Sequence, residues 1–174
     1  GVASTGFVTV RDAGLTGMVS VRADLTDAAT VAALASCGIT VPAVRQIVDG
    51  VAWMAPDELL LVTEYAGAPA LAQKVQAAMA DTHALVHVVS DARAVLRVEG
   101  AGTKEALAKL CPVDLATLAP GEVRRTRLAQ VAAAFWLEDA ENAQIICFRS
   151  VADYVFGALQ MSARKGSEVG VFTR

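Results

Sequence analysis

Apolar and polar positions along the 174-residue chain change period several times, and each change marks an element. Met18 to Ala23 alternates as a strand does, and Thr26 is then placed to cap a helix that runs to Ala35 and is stopped by Gly38. VRQIVDGVAWMAPDELLLV (44–62) carries two turn signals. Asp49-Gly50 tolerates positive φ and so closes a two-residue hairpin, while Pro56 presets φ for a second turn at Asp57. The stretch predicts a three-strand meander.

Gly67 to Ala80 has helical spacing, with Leu71, Val75 and Met79 on one face and Gln73, Lys74 and Gln76 elsewhere. Two strands follow, ALVHVVS and AVLRVEG, then a helix from Thr103 to Leu110 that Pro112 stops. Further strands are expected near Arg125–Gln130, Ala132–Leu137 and Gln144–Phe148. Ser150 is positioned to cap the last helix, with Asp153 three residues on, and Arg164, Lys165 and Gly166 close it.

ELLLVTEYAGAPALAQKVQAAMA and QIICFRSVADYVFGALQMSA share one order: buried strand, short polar connection, amphipathic helix. Each such unit needs a second surface to cover its sheet. The expected fold is α+β, one domain over residues 1–174 built from two similar strand–helix lobes, about 1–82 and 83–174, with antiparallel or mixed sheets.

Composition adds one question. The chain is 55% hydrophobic with a mean hydropathy of +0.47 but only 5% aromatic, so Ala, Val and Leu dominate. Charges or Gly and Pro interrupt every apolar run before the roughly 18 residues that span a bilayer. Such hydropathy leaves either an unusually complete core or apolar surface that a partner covers, and the second is the expectation. With 15 basic and 18 acidic residues there is no field to attract nucleic acid or an anionic membrane. Cys37, Cys111 and Cys147 are odd in number and far apart, which points to a reducing cytoplasm rather than a disulfide framework, and Cys147, inside IICF, reads as core. GVASTGF lacks the charged and apolar segments of a secretory signal, so none is expected, although the chain begins without an initiating Met.

Candidate chemistry is sparse. The dense basic stretch Arg124, Arg125, Arg127 could grip phosphate or be the alternating solvated face of a strand, the latter expected. His83 and His87 stand four apart, but on a strand that spacing covers about 13 Å, beyond one metal ion. Gly100 to Gly102 follows a strand and opens a helix, yet the third glycine of a dinucleotide fingerprint is replaced by Glu105, whose charge would repel phosphate. Asp57 and Glu58 are adjacent, so on an extended segment they point to opposite faces and cannot act as an acid–base pair. Glu138, Asp139 and Glu141 read as a solvated hairpin tip. Asp91 reads as a turn residue and Glu99 as a surface charge at a strand end. No catalytic, cofactor-binding or metal-ligating residue is therefore assigned.

WMAPDELLLV (53–62), VVSDARAVLRVEG (88–100), LAKLCPVDL (107–115), PGEVRRTRLAQV (120–131) and RSVADYVFGAL (149–159) together resemble, in this order, the gamma subunit of heterotetrameric sarcosine oxidase. The likeness covers roughly Val44 to Ala163. It implies a fold like the folate-binding region of glycine-cleavage aminomethyltransferases. It also implies a non-catalytic structural subunit with alpha, beta and delta partners, in a cytoplasmic complex that oxidises sarcosine to glycine. That complex passes the one-carbon unit to tetrahydrofolate, or releases formaldehyde, and forms hydrogen peroxide. FAD, FMN, NAD and tetrahydrofolate are then expected in the partner subunits and zinc in the smallest one. The chain departs from the aminomethyltransferases in lacking their NGG-containing, Asp-rich hairpin, and it has Leu110 where relatives often carry Gly. A stand-alone folate-binding protein and a generic interaction module are the alternatives.

Overall fold

Both expected hairpin turns form. Asp49 and Gly50 take left-handed φ values of 50° and 77°, joining strand β4 (Ile47–Val48) to β5 (Val51–Ala55). Pro56-Asp57 joins β5 to β6 (Glu58–Thr63), and the β5–β6 register shifts between Trp53 and Ala55. The computed structural model describes residues 1–172.

The chain forms two units, and the boundaries are Gly14/Leu15 and Ser90/Asp91. A division near residue 82 does not describe them. Strand β7 (Ala84–Val88) pairs with β3 (Gly17–Ala23) and so belongs to the first half, whereas β1 (Ala3–Thr5) and β2 (Thr9–Asp12) reach β8 (Arg93–Glu99) and belong to the second.

The continuous unit, residues 15–90, holds an antiparallel five-stranded sheet of order β4-β5-β6-β3-β7. Helices α1 (Ala28–Ser36) and α2 (Ala68–Ala78) cover one face, packing Leu34, Ala68, Ala72 and Val75 on Val19, Val21, Leu59 and Leu61. The opposite face carries buried Met18, Ala52 and Leu60. Burial on both faces explains the unbroken run Leu59–Val62 where a half-exposed strand would alternate.

The discontinuous unit, residues 1–14 and 91 onward, holds an antiparallel sheet of order β1-β2-β8-β11-β10-β9, in which β9 is Arg124–Leu128, β10 Val131–Leu137 and β11 Asn142–Phe148. Helices α3 (Thr103–Ala108) and α4 (Ala152–Ser162) accompany it, with Ala106, Leu107, Val155 and Leu159 in a core with Val10, Val98, Phe135 and Ile145. Without its first strand, this order matches the continuous unit strand for strand: β9-β10-β11-β8-β2 beside β4-β5-β6-β3-β7. In both, the third meander strand leads through one 3₁₀ turn (Tyr65–Gly67, Arg149–Val151) into an eleven-residue helix.

Two expected caps are misplaced by the sequence reading. Asp27, not Thr26, caps α1: its carboxylate accepts from the Thr30 N–H at 2.9 Å and the Thr30 hydroxyl at 3.0 Å. Thr26 instead donates to Asp24. Ser150 lies inside the 3₁₀ turn before α4, whose N-cap position, Val151, makes no side-chain cap. The Thr30 N–H and then its hydroxyl hold the Asp27 carboxyl below the usual carboxylate range. Its stabilising contribution is therefore complete above the unfolded-chain value of about 3.9 and is lost as pH falls through the lower folded value. Asp27→Ala is expected to lower the thermal midpoint at neutral pH by roughly 2–4 °C, and Thr26→Ala to shift it less, as checked by differential scanning calorimetry.

Candidate functional site

Several of the charged groups are drawn into bonds that stabilise loops and ladders. The Pro56-Asp57 turn bends the backbone so that Asp57 and Glu58 converge on one guanidinium, contrary to the opposite-face expectation for an extended segment. Arg22 Nη1 lies 3.0 Å from Asp57 Oδ2 and Nη2 lies 3.1 Å from Glu58 Oε2. Arg22 is cross-strand from Glu58 on β3, so the fork reaches both. Arg22 and Asp57 line a concavity of about 640 Å³ with Asp24, Thr26 and His83. The Thr26 hydroxyl and N–H bond Asp24 and hold its carboxyl below the usual range. Carboxylates spent on an arginine and a threonine are poor general bases.

His83 is exposed at the edge of that concavity, and His87 is exposed on β7 opposite Ser20. Among the described residues no three His, Cys, Asp or Glu side chains are grouped to hold a metal. The three thiols are buried, and burial pushes those of Cys111 and Cys147 up, away from the reactive thiolate.

The loop of Gly100–Gly102 is filled from within. Gly100 takes φ +132°, and a Cβ on Gly102 would come within 2.5 Å of the Phe7 ring. These glycines admit a neighbouring side chain. The basis for discounting phosphate also changes, because Glu105 is buried and accepts from the N–H groups of Val169 and Gly170, the latter at 3.0 Å. Glu105 thus ties the segment after α4 to α3, a role the sequence pattern did not signal. Glu105→Ala is expected to destabilise the protein by about 1–3 kcal/mol and to expose residues near 169 to limited proteolysis, which peptide mapping would detect.

On β9 the basic residues alternate as a strand requires. Arg124 pairs with Glu122, while Arg125 and Arg127 are exposed, with Arg127 Nη2 on the Gln130 carbonyl at 2.9 Å. At the β10–β11 tip Asp139 accepts from the Asn142 side chain and from the Glu141 and Asn142 N–H groups at 2.8–2.9 Å, which holds its carboxyl low. Glu138 pairs with Arg97, and Glu141 is exposed. Asp91 lies in the 3₁₀ turn Ser90–Ala92 that enters β8 and Glu99 ends that strand, which is about 20 Å long at strand rise, so they do not converge. The Asp91 carbonyl accepts from Arg149 Nε at 2.7 Å, and Glu99 accepts from Arg11 Nε at 2.9 Å.

What remains is a concavity of about 750 Å³ along the outer side of α4, lined by Tyr154, Gly157, Ala158, Met161, Leu110 and Val169. It is apolar, and Met161 is 67% exposed. Lys109 at its margin is engaged by the Ser162 and Ser167 carbonyls and the Phe7 ring. The arrangement suits packing against another surface better than bond-making. The sequence predicts this helix as amphipathic without distinguishing its faces, and this outward apolar face was not singled out, although Tyr154, Ala158 and Met161 recur at helical intervals.

The family model described as "Sarcosine oxidase, gamma subunit family" matches residues 22–165. This chain belongs to the sarcosine oxidase gamma subunit family. A curated member, sarcosine oxidase subunit gamma of Corynebacterium sp. (strain U-96), is 31% identical over 153 residues, covering 83% of this chain and 74% of the relative. The structure of heterotetrameric sarcosine oxidase from Corynebacterium sp. U-96, in complex with pyrrole 2-carboxylate, contains a chain that superposes with a TM-score of 0.83 at 28% identity. That match covers 92% of this chain and 87% of the other. The gamma-type fold also matches the glycine cleavage system aminomethyltransferase T from Bartonella henselae, with a TM-score of 0.66 at 12% identity. There it spans 93% of this chain but 48% of the transferase, and the likeness is one of fold alone. The α+β, aminomethyltransferase-like fold expected from the sequence is the fold observed.

Proposed function

We propose that this chain is the structural gamma subunit of a heterotetrameric sarcosine oxidase. It contributes surface and shape to an oxidoreductase complex whose reacting groups reside in the alpha, beta and delta chains. The observation that carries the reading is the family match over residues 22–165, joined to the way Asp57, Glu58, Glu99, Glu105 and Asp139 are each held by bonds within the chain. The complex demethylates sarcosine to glycine, transfers the one-carbon unit to tetrahydrofolate or releases it as formaldehyde, and forms hydrogen peroxide. In this reading FAD, FMN, NAD and tetrahydrofolate belong to the partner subunits and zinc to the smallest, and the chain works in the cytoplasm. Among the described residues no helix is long and apolar enough to cross a membrane.

The test is co-expression with the alpha, beta and delta chains, followed by size exclusion and a sarcosine-dependent peroxide assay. The expected result is one four-chain peak whose yield collapses when this chain is omitted, and no activity in this chain alone. Full assembly and turnover by the other three chains without it would sink the proposal. Saturable tetrahydrofolate binding by the isolated chain, lost on Asp91→Asn, would favour a stand-alone folate protein instead.

A further inference from the structure

The matching strand orders of the two units differ in one place: β2 has a neighbour, β1, and β7 has none among the described residues. Corresponding glutamines report that difference. Helices α2 and α4 are eleven residues each, and Gln76 and Gln160 are the ninth residue of each. Gln160 Nε2 donates to Ser4 Oγ on β1 at 3.0 Å, so it reaches the sixth strand of its sheet. Ser4 is the cross-strand partner of Val10. In the continuous unit Gln76 Nε2 donates at 2.9 Å to the carbonyl of Val86. Val10 and Val86 correspond, each a buried, core-facing residue paired to a buried valine of the next strand, Val98 and Val21. One glutamine holds the extra strand, and the other covers the carbonyl where such a strand would bond.

The bare edge is suited to addition. The Val89 N–H donates to the Met18 carbonyl at 2.8 Å, so by antiparallel alternation His87 and Leu85 face β3 while Ala84, Val86 and Val88 turn their main-chain groups outward. Lysines, prolines and bulges that usually protect an edge are missing from β7, whose sequence is ALVHV. Leu85 and Val88 are 53% and 44% exposed. Concavities flank the strand, one of about 640 Å³ on the side of Arg22 and Asp57 and one of about 340 Å³ toward Gln76, Met79 and Ala80.

We propose that in the assembled oxidase an extended segment of another subunit adds to β7 as a sixth strand, antiparallel, as β1 adds to β2. The inference rests on the subunit reading above and names its docking element. The segment is between the three residues of β1 and the five of β7 in length. Opposite Val86 it carries a small hydroxyl residue that takes over the Gln76 amide as Ser4 takes that of Gln160. Its alternate side chains are polar, because they enter the concavity of Arg22, Asp24 and Asp57. Main-chain bonds supply the attachment and the two concavities the selectivity.

Hydrogen exchange resolved to single amides, on the free chain and on the purified four-chain complex, tests it. The Val86 and Val88 amides are expected to exchange at least about tenfold more slowly in the complex. Val86→Pro removes an outward N–H while sparing the β3 ladder, and is expected to weaken co-elution about tenfold or more. Unchanged exchange at β7 in an intact complex overturns the proposal and leaves the subunit reading standing. A chain that never enters the complex ends both. A free chain that is already a dimer, with slow β7 amides released by Val86→Pro, gives the edge to a second copy and likewise overturns it. The exchange comparison uses the unaltered chain, so it decides the matter even if the variant misfolds.

Discussion

Truncating Phe135 to alanine is expected to remove roughly 3–5 kcal/mol of folding free energy. Phe135 lies on β10 between Arg124 and Ile145, is fully buried, and heads the fully buried side chains by volume. Its core also includes Ala106, Ala133, Ala143 and Ala163. Alanines have no rotamers with which to reach into a void, so the cavity left by the ring stays largely open and the loss falls toward the upper end. Phe148→Ala is the matched control. That ring is 49% exposed and sits beneath the Arg93 guanidinium at 4.5 Å. Its loss is expected to stay below about 1 kcal/mol. Guanidinium denaturation followed by near-ultraviolet circular dichroism separates the two, and equal losses would contradict the core assigned to the discontinuous unit.

The contrast between these phenylalanines also shows how far the sequence could be read. Strand β10 and the run around Cys147 were legible because consecutive apolar residues bounded by turns must be buried on both faces. The meander of residues 47–63 was legible for a different reason: Asp49-Gly50 and Pro56-Asp57 dictate turns almost irrespective of context. Pairings that depend on distant chain were not legible. Nothing local in ASTGFVTV shows that β1 and β2 join β8, some ninety residues on, and so the lobe boundary was placed too early at β7. Capping failed at the scale of one residue, since Thr26 and Asp27 are both good caps and only backbone geometry selects between them.

At the candidate site the difference is chemical. That Asp57 and Glu58 form no acid–base pair was reasoned from an extended backbone, yet the turn brings them together on Arg22. Side-chain direction at a hairpin bend follows the turn and not the period of two. Glu105 was read as a charge facing a loop mouth and instead accepts from the backbone near Val169, more than sixty residues away. The family likeness lies in ordered motifs spread over the chain, whereas the exposed face of α4 and the bare edge of β7 arise only in the folded chain.

Gly6→Ala should be nearly as damaging as the loss of Phe135, by the opposite route of overfilling. A Cβ on Gly6 would lie 1.7 Å from the Ala163 carbonyl oxygen and 2.6 Å from its carbon. That oxygen has little freedom. It accepts from the Phe7 N–H at 2.9 Å, its residue is buried, and the Ala163 N–H is bonded to Leu159 at 2.9 Å at the end of α4. Relief therefore means lifting the β1–β2 hairpin from the helix end or displacing α4, and Val8, Val10, Val155 and Leu159 in the same core move with either. The expected loss is about 3 kcal/mol or more, a fall of roughly 6–12 °C in the thermal midpoint. Gly157→Ala should have the reverse sign. Gly157 lies inside α4, and an added Cβ there meets nothing within 4 Å, so the substitution relieves a helical glycine and should stabilise by roughly 0.5–1 kcal/mol. Calorimetry on the pair reads both signs in one experiment. A Gly6→Ala protein as stable as the parent would show that the hairpin does not approach the end of α4 so closely.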